Sequence, residues 1–141
     1  MHWLLLLILT AILLGLYNFF IKLSAGGIHE IAGAVILQVV AFLLGGLAML
    51  WLKYKGTELN ISPKGLLFSI LAGVSVGLAE ILAFYAFGKG VSASVGIPVM
   101  VGGTVLVGVI LGTLVLQEQL TLAKGIGAVL VVAGIIFIAR G

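Results

Sequence analysis

The chain has 141 residues, 63% of them hydrophobic and 8% charged, with a formal net charge of +3, whereas a typical soluble domain is roughly a quarter charged. Seven Lys or Arg and four acidic residues, all of them Glu, are too few to cover a water-facing surface, so a soluble enzyme or receptor module is excluded. Cysteine is absent, which removes disulfides and thiolate metal sites, and the scattered cations form no basic cluster of the kind that nucleic-acid binding needs.

A helix needs about 20 apolar residues to cross the hydrocarbon core, because every backbone polar group must be satisfied within the segment. Runs of that kind predict five transmembrane helices, over 3–21, 31–52, 66–87, 91–116 and 122–139. The fold class is therefore all-α and polytopic, a single membrane domain over 1–141 surrounded by lipid.

The first run follows Met1-His2-Trp3 and lacks the charged leader and small-residue cleavage pattern of a signal peptide, so it reads as a retained helix. It carries Asn18 on one face with Ala11 and Gly15. It ends at Lys22, which is placed to snorkel to the interface or to reach back toward an anionic group. The second run follows His29 and Glu30, a single residue pair and not a metal site, and places Gln38 on a face with Ala34, Ala41 and Gly45. An unpaired amide is expensive in hydrocarbon, so Asn18 and Gln38 either bond a neighbouring helix or line a cavity.

The third run contains Glu80, about two-thirds along. An ionised side chain there costs at least about 2.5 kcal/mol, so it faces a cavity, finds a cationic partner or takes up a proton. Helical spacing puts Gly73, Gly77, Glu80, Phe84 and Phe87 on one broad face, with small residues leaving room beside the carboxyl and rings lining it. Glu80, Asn18, Gln38, Tyr85 and Phe84 are thus candidate substrate- or proton-binding residues, with Tyr17 a lesser one. The competing role for Glu80 is purely structural, bonded to an adjacent helix.

The fourth run contains Pro98, which removes a backbone donor and is expected to kink the helix. Lys124 trims the start of the fifth, so four crossings with an interfacial last segment is the alternative there. Small residues spaced for close helix packing occur at Gly73 and Gly77, at Gly108 and Gly112, and, seven apart, at Gly127 and Gly134. No phosphate-binding loop, nucleophile elbow or metal-ligand spacing is present, so no enzyme, metal or cofactor is expected.

An odd number of spans puts the termini on opposite sides. Lys53, Lys55, Lys64 and Lys124 then share one side, and Lys22, Lys89 and Arg140 the other, a balance too even to fix one orientation. Copies inserted both ways would pair head to tail about an axis in the membrane plane, the arrangement of inverted-repeat transporters. The alternative is a single orientation with the first side cytoplasmic.

The segment Phe84-Tyr85-Ala86-Phe87, then Val91-Ser92-Ala93-Ser94, a Gly-rich apolar helix, Gln117-Glu118-Gln119-Leu120-Thr121 and a last helix with Gly127 and Gly134 resembles the second half of an EamA domain, of the drug/metabolite transporter superfamily. Asn18 to Leu23 fits its first half more loosely. The resemblance implies a five-helix repeat, usually present twice per chain, in a secondary transporter of small metabolites. One copy is a half-transporter that needs a second copy or a related partner. Pro98 lies about two turns earlier than that family's usual proline, and an acid at Glu80 is not general in it. The last two helices also resemble the small multidrug resistance family, in which a Gly face spaced like Gly127 and Gly134 mediates dimerisation. That family's membrane carboxylate belongs to its first helix, where this chain has Asn18.

Together these readings lead to a carrier of a small organic metabolite or drug-like solute in a prokaryotic plasma (inner) membrane, working as an antiparallel homodimer and proton-coupled through Glu80. The rivals are a non-transporting membrane scaffold and one half of a heterodimeric transporter. A carboxylate among aromatics suits an organic cation, and Asn18, Gln38 and hydroxyls suit a sugar or amino acid.

Overall fold

The computed structural model of the chain describes residues 2–140; Met1 and Gly141, the ends of the domain expected over 1–141, lie outside the described residues. Those residues form five helices, α1 (His2–Ser24), α2 (Glu30–Tyr54), α3 (Pro63–Gly88), α4 (Ala93–Leu114) and α5 (Leu122–Arg140). All five are long and apolar enough to cross a membrane. With 19 residues, α5 is about 28 Å long at 1.5 Å per residue, close to the roughly 30 Å of hydrocarbon, which supports five crossings over four. Lys124, in its first turn, sends its Nζ back to the Gln119 carbonyl at 3.2 Å and so leaves the apolar stretch free of charge.

Local chemistry sets the helix ends. α3 starts on Ser62, whose Oγ accepts the Gly65 N–H at 3.1 Å, with Pro63 in the first turn, where its missing donor has no intrahelical partner to lose. α2 starts on His29, whose Nδ1 accepts the Ile31 N–H at 3.3 Å. The turn from α3 to α4 passes through Gly90 at φ +96°, a left-handed conformation that a Cβ would strain. α1, α2 and α3 extend past their apolar cores to Ser24, Tyr54 and Pro63, because helix persists into the interface where lysines snorkel. α4 is shorter than its apolar run, held between Ser92 at its start and Gln117, which turns the chain with φ 55°. α4 passes through Pro98 as one continuous helix.

The chain divides into two compact units, Ile21–Gly90 and Met1–Phe20 with Val91–Gly141. In the first, α2 packs on α3, and the buried apolar residues Ile21, Ala34, Ala83, Phe84 and Phe87 all belong to it. The helices approach closely at Gly33, where a Cβ would stand 2.6 Å from Phe84 Cε1. In the second unit α4 packs on α5. The close approach there is Gly102, where a Cβ would stand 2.7 Å from Ile135 Cγ1 and 3.2 Å from Val131 Cγ1. By contrast, a Cβ on Gly73, Gly108, Gly127 or Gly134 would meet nothing within 4 Å.

Large apolar side chains face outward on every helix; Phe42 is 75% exposed, Leu114 76% and Phe137 79%. Such continuous apolar surface is rare on soluble monomers and is what lipid covers.

Gly33→Ala drives a methyl group into the Phe84 ring and is expected to destabilise the α2–α3 pair by about 1–3 kcal/mol. Gly45→Ala, with nothing within 4 Å of the new methyl, is expected to be neutral or slightly stabilising. Loss of helical circular dichroism on heating in detergent micelles separates the two, and equal melting would contradict the Phe84 contact.

Candidate functional site

Glu80 is 4% exposed on a helix whose buried face is the one that spacing assigned: Glu80, Ala83, Phe84 and Phe87 are buried, and Gly73 and Gly77 line an open groove. A carboxylate only accepts hydrogen bonds, and the carbonyls of its own helix are acceptors too, so it must draw donors from elsewhere. One of them is Gln38, whose Nε2 donates to Glu80 Oε2 at 2.6 Å.

Registry explains why these two side chains meet. Gln38 stands eight residues after Glu30, the start of α2, and Glu80 eight residues before Gly88, the end of α3. The two helices run antiparallel from a shared end, so both residues lie about 12 Å along their helices from it. That end is fastened by Lys22, which donates from Nζ to the Phe87 carbonyl at 3.4 Å and sits 5.7 Å from the centre of the Phe87 ring. It adds a side-chain donor and a positive charge at the carbonyl end of α3, where a cation complements the helix dipole.

The groove, about 520 Å³, is lined by Ala34, Val35, Gln38, Val39, Phe42, Gly73, Gly77 and Ile81. Gln38 is the only polar side chain among the described residues that line it. Gly77 keeps the wall open beside that amide: a Cβ there would lie 3.5 Å from Gln38 Nε2, and a longer side chain would displace it.

The remaining candidates divide. Phe84 is buried, its ring against Gly33, and so supports the wall behind the groove. Tyr85 is 51% exposed and lies beneath Lys89, 5.0 Å from ring centre to Nζ, on another face of α3 from Glu80. Asn18 is buried, with Nδ2 donating to the Leu14 carbonyl of its own helix at 2.8 Å. Gly112 receives the returning chain, with the Glu118 N–H on its carbonyl at 2.9 Å, which makes Glu118 part of the α4 terminus. His29 Nδ1 is 3.8 Å from Glu30 Oε2, and no cluster of three or more His, Asp or Glu suited to a metal is found among the described residues. Sequence reasoning missed Val35, Val39, Phe42 and Ile81 as groove walls, since nothing marks one apolar residue over another on an apolar helix.

The Gln38–Glu80 bond is open to measurement. Glu80→Leu and Gln38→Leu each strand a polar partner between helices and are expected to cost about 1–3 kcal/mol of stability. The double replacement should cost clearly less than the two together. Additive losses in a thermal or denaturant series in micelles would mean that the two side chains are not coupled.

Residues 1–140 match a family model described as the EamA-like transporter family. Comparison with curated proteins gave no match, and comparison with solved structures gave none.

Proposed function

We propose that this chain, which belongs to the EamA-like transporter family, is half of a secondary carrier for a small organic solute and works as an antiparallel homodimer. Membership makes it a multi-pass membrane transporter of small solutes. The finer reading rests chiefly on Glu80, buried in an apolar helix and hydrogen-bonded to Gln38, the one polar side chain among the described residues that line an open groove. An acid held at that depth is costly unless it has a use, and uptake and release of a proton there would couple solute movement to a proton gradient. In this reading one membrane domain spans 1–141 in a prokaryotic plasma membrane. Two copies in opposite orientation bring their Glu80 faces together near the midplane and alternate access by rocking against each other.

The near-even division of lysine and arginine between the two sides, four against three, supports insertion in both orientations. Gly108, Gly127 and Gly134, open within the chain, are the proposed surfaces for close contact between copies, with Asn18 a further polar position of the carrier.

In vesicles with a trapped pH dye, amines, sugars and amino acids are added one at a time, and solute-dependent proton movement is recorded. Glu80→Gln preserves a hydrogen-bonding side chain, so insertion and folding should persist while proton movement falls to the level of empty vesicles. Undiminished movement would take Glu80 out of the mechanism. A folded wild-type dimer that moves nothing would favour a scaffold.

Orientation is tested with cysteines placed singly at His2 and Gly141 of the cysteine-free chain and an impermeant thiol reagent. Dual insertion predicts that each position is labelled from both sides of the membrane. One-sided labelling would leave a parallel dimer or a heterodimer.

A further inference from the structure

We propose that Gln38 is the residue that touches solute in the α2–α3 groove, and that Glu80 behind it fixes which end of the amide the solute meets, selecting an amine with an apolar body. The inference rests on the carrier reading above and adds the substrate class and the residue that recognises it.

Glu80 is absent from the groove's lining, whereas Gln38 is part of it. The carboxylate therefore acts on a solute through the amide. A Gln side chain has a donor end and an acceptor end that differ little in shape, so an isolated glutamine could present either. Glu80 removes that freedom: its Oε2 takes the Nε2 donor at 2.6 Å, and a carboxylate has no hydrogen to offer the amide oxygen. The same nitrogen lies over Gly77, 3.5 Å from where a Cβ would stand, and is thus held against α3. The oxygen is the end left to the groove.

What the groove presents is therefore a single acceptor on an apolar wall of Val35, Val39, Phe42 and Ile81. The acceptor is strengthened by the negative charge hydrogen-bonded to the far side of its own amide, since linked hydrogen bonds polarise one another. A protonated primary amine fits on three counts: it carries N–H donors, its charge is attracted by Glu80, and its hydrocarbon part covers the wall. A quaternary ammonium has the charge and the hydrocarbon but no donor. A sugar has donors but too little apolar surface.

The discriminating probes are phenethylamine and phenethyltrimethylammonium, which share one aromatic body and one positive charge and differ in N–H donors. Their binding to the full-length protein in nanodiscs is compared by equilibrium dialysis at one pH. The wild type should favour phenethylamine by about tenfold or more, the value of a hydrogen bond to a charged group. Gln38→Leu should bring the two affinities to within about twofold of each other. Glu80→Gln keeps an amide partner but lets Gln38 turn either way, so the preference should shrink there too, which gives a second readout where Gln38→Leu fails to fold. A wild type that binds the probes equally, or binds neither because lipid or a second copy fills the groove, overturns the inference, as does an undiminished preference in Gln38→Leu. If Glu80→Gln abolishes proton movement while Gln38→Leu leaves the preference intact, the role of Gln38 falls and the carrier reading stands. The expected preference in a protein that transports nothing would do the reverse.

Discussion

Hydrocarbon supplies no hydrogen-bond partner, and that single constraint orders the polar side chains of the protein. Several of them solve the problem within their own helix. Thr10 donates to the Leu6 carbonyl at 2.8 Å, Ser75 to Leu71 at 2.9 Å, Thr113 to Val109 at 2.8 Å, and Asn18 to Leu14 at 2.8 Å. Each of these groups has a donor, and a helix offers carbonyls one turn back. When ionised, Glu80 cannot use that solution, because a carboxylate and a helix carbonyl are both acceptors. Its need for a donor joins α3 to α2 through Gln38, and Gly77 and Ala34 leave the room in which that bond forms.

The same logic separates the two kinds of glycine. In water a glycine inside a helix weakens it, by about 1 kcal/mol relative to alanine; between membrane helices it permits close approach. Gly33 and Gly102 serve that purpose, because Phe84 and Ile135 lie where their side chains would be. Gly108, Gly127 and Gly134 have open space instead.

The spans were legible in the sequence because length and polarity decide them: five apolar runs, each closed by Lys, Gly, Pro or a capping Ser or Thr. Glu80 was legible for the same reason, as an acid where acids are expensive. The partnership was legible only in part. Gln38 and Glu80 were each marked as costly, and their equal distances from a shared interface would have paired them, because antiparallel neighbours place residues of equal depth side by side. That Tyr85 lies on another face was legible by counting, since five positions beyond Glu80 is about 140° around the helix. The packing glycines were out of reach of motif reading. Gly33 and Gly102 are chosen by what stands opposite them, and small-residue spacing records only what stands beside them on one helix.

In the proposed carrier, the groove needs a reason to prefer a solute although the helix pair has so much apolar surface. Lipid tails can cover Val35, Val39, Phe42 and Ile81 as well as any ligand can, so the apolar wall by itself selects nothing. Gln38 breaks the tie. When an acyl chain lies over it, the amide oxygen exchanges a solvent or solute donor for hydrocarbon, at a cost of about 1–3 kcal/mol for a polar group left unsatisfied. A solute with a donor removes that cost and covers the same wall. Selectivity in such a site comes from the one group that hydrocarbon cannot satisfy. On that proposal the surrounding apolar residues contribute shape, and the buried carboxylate sets the direction in which that group points.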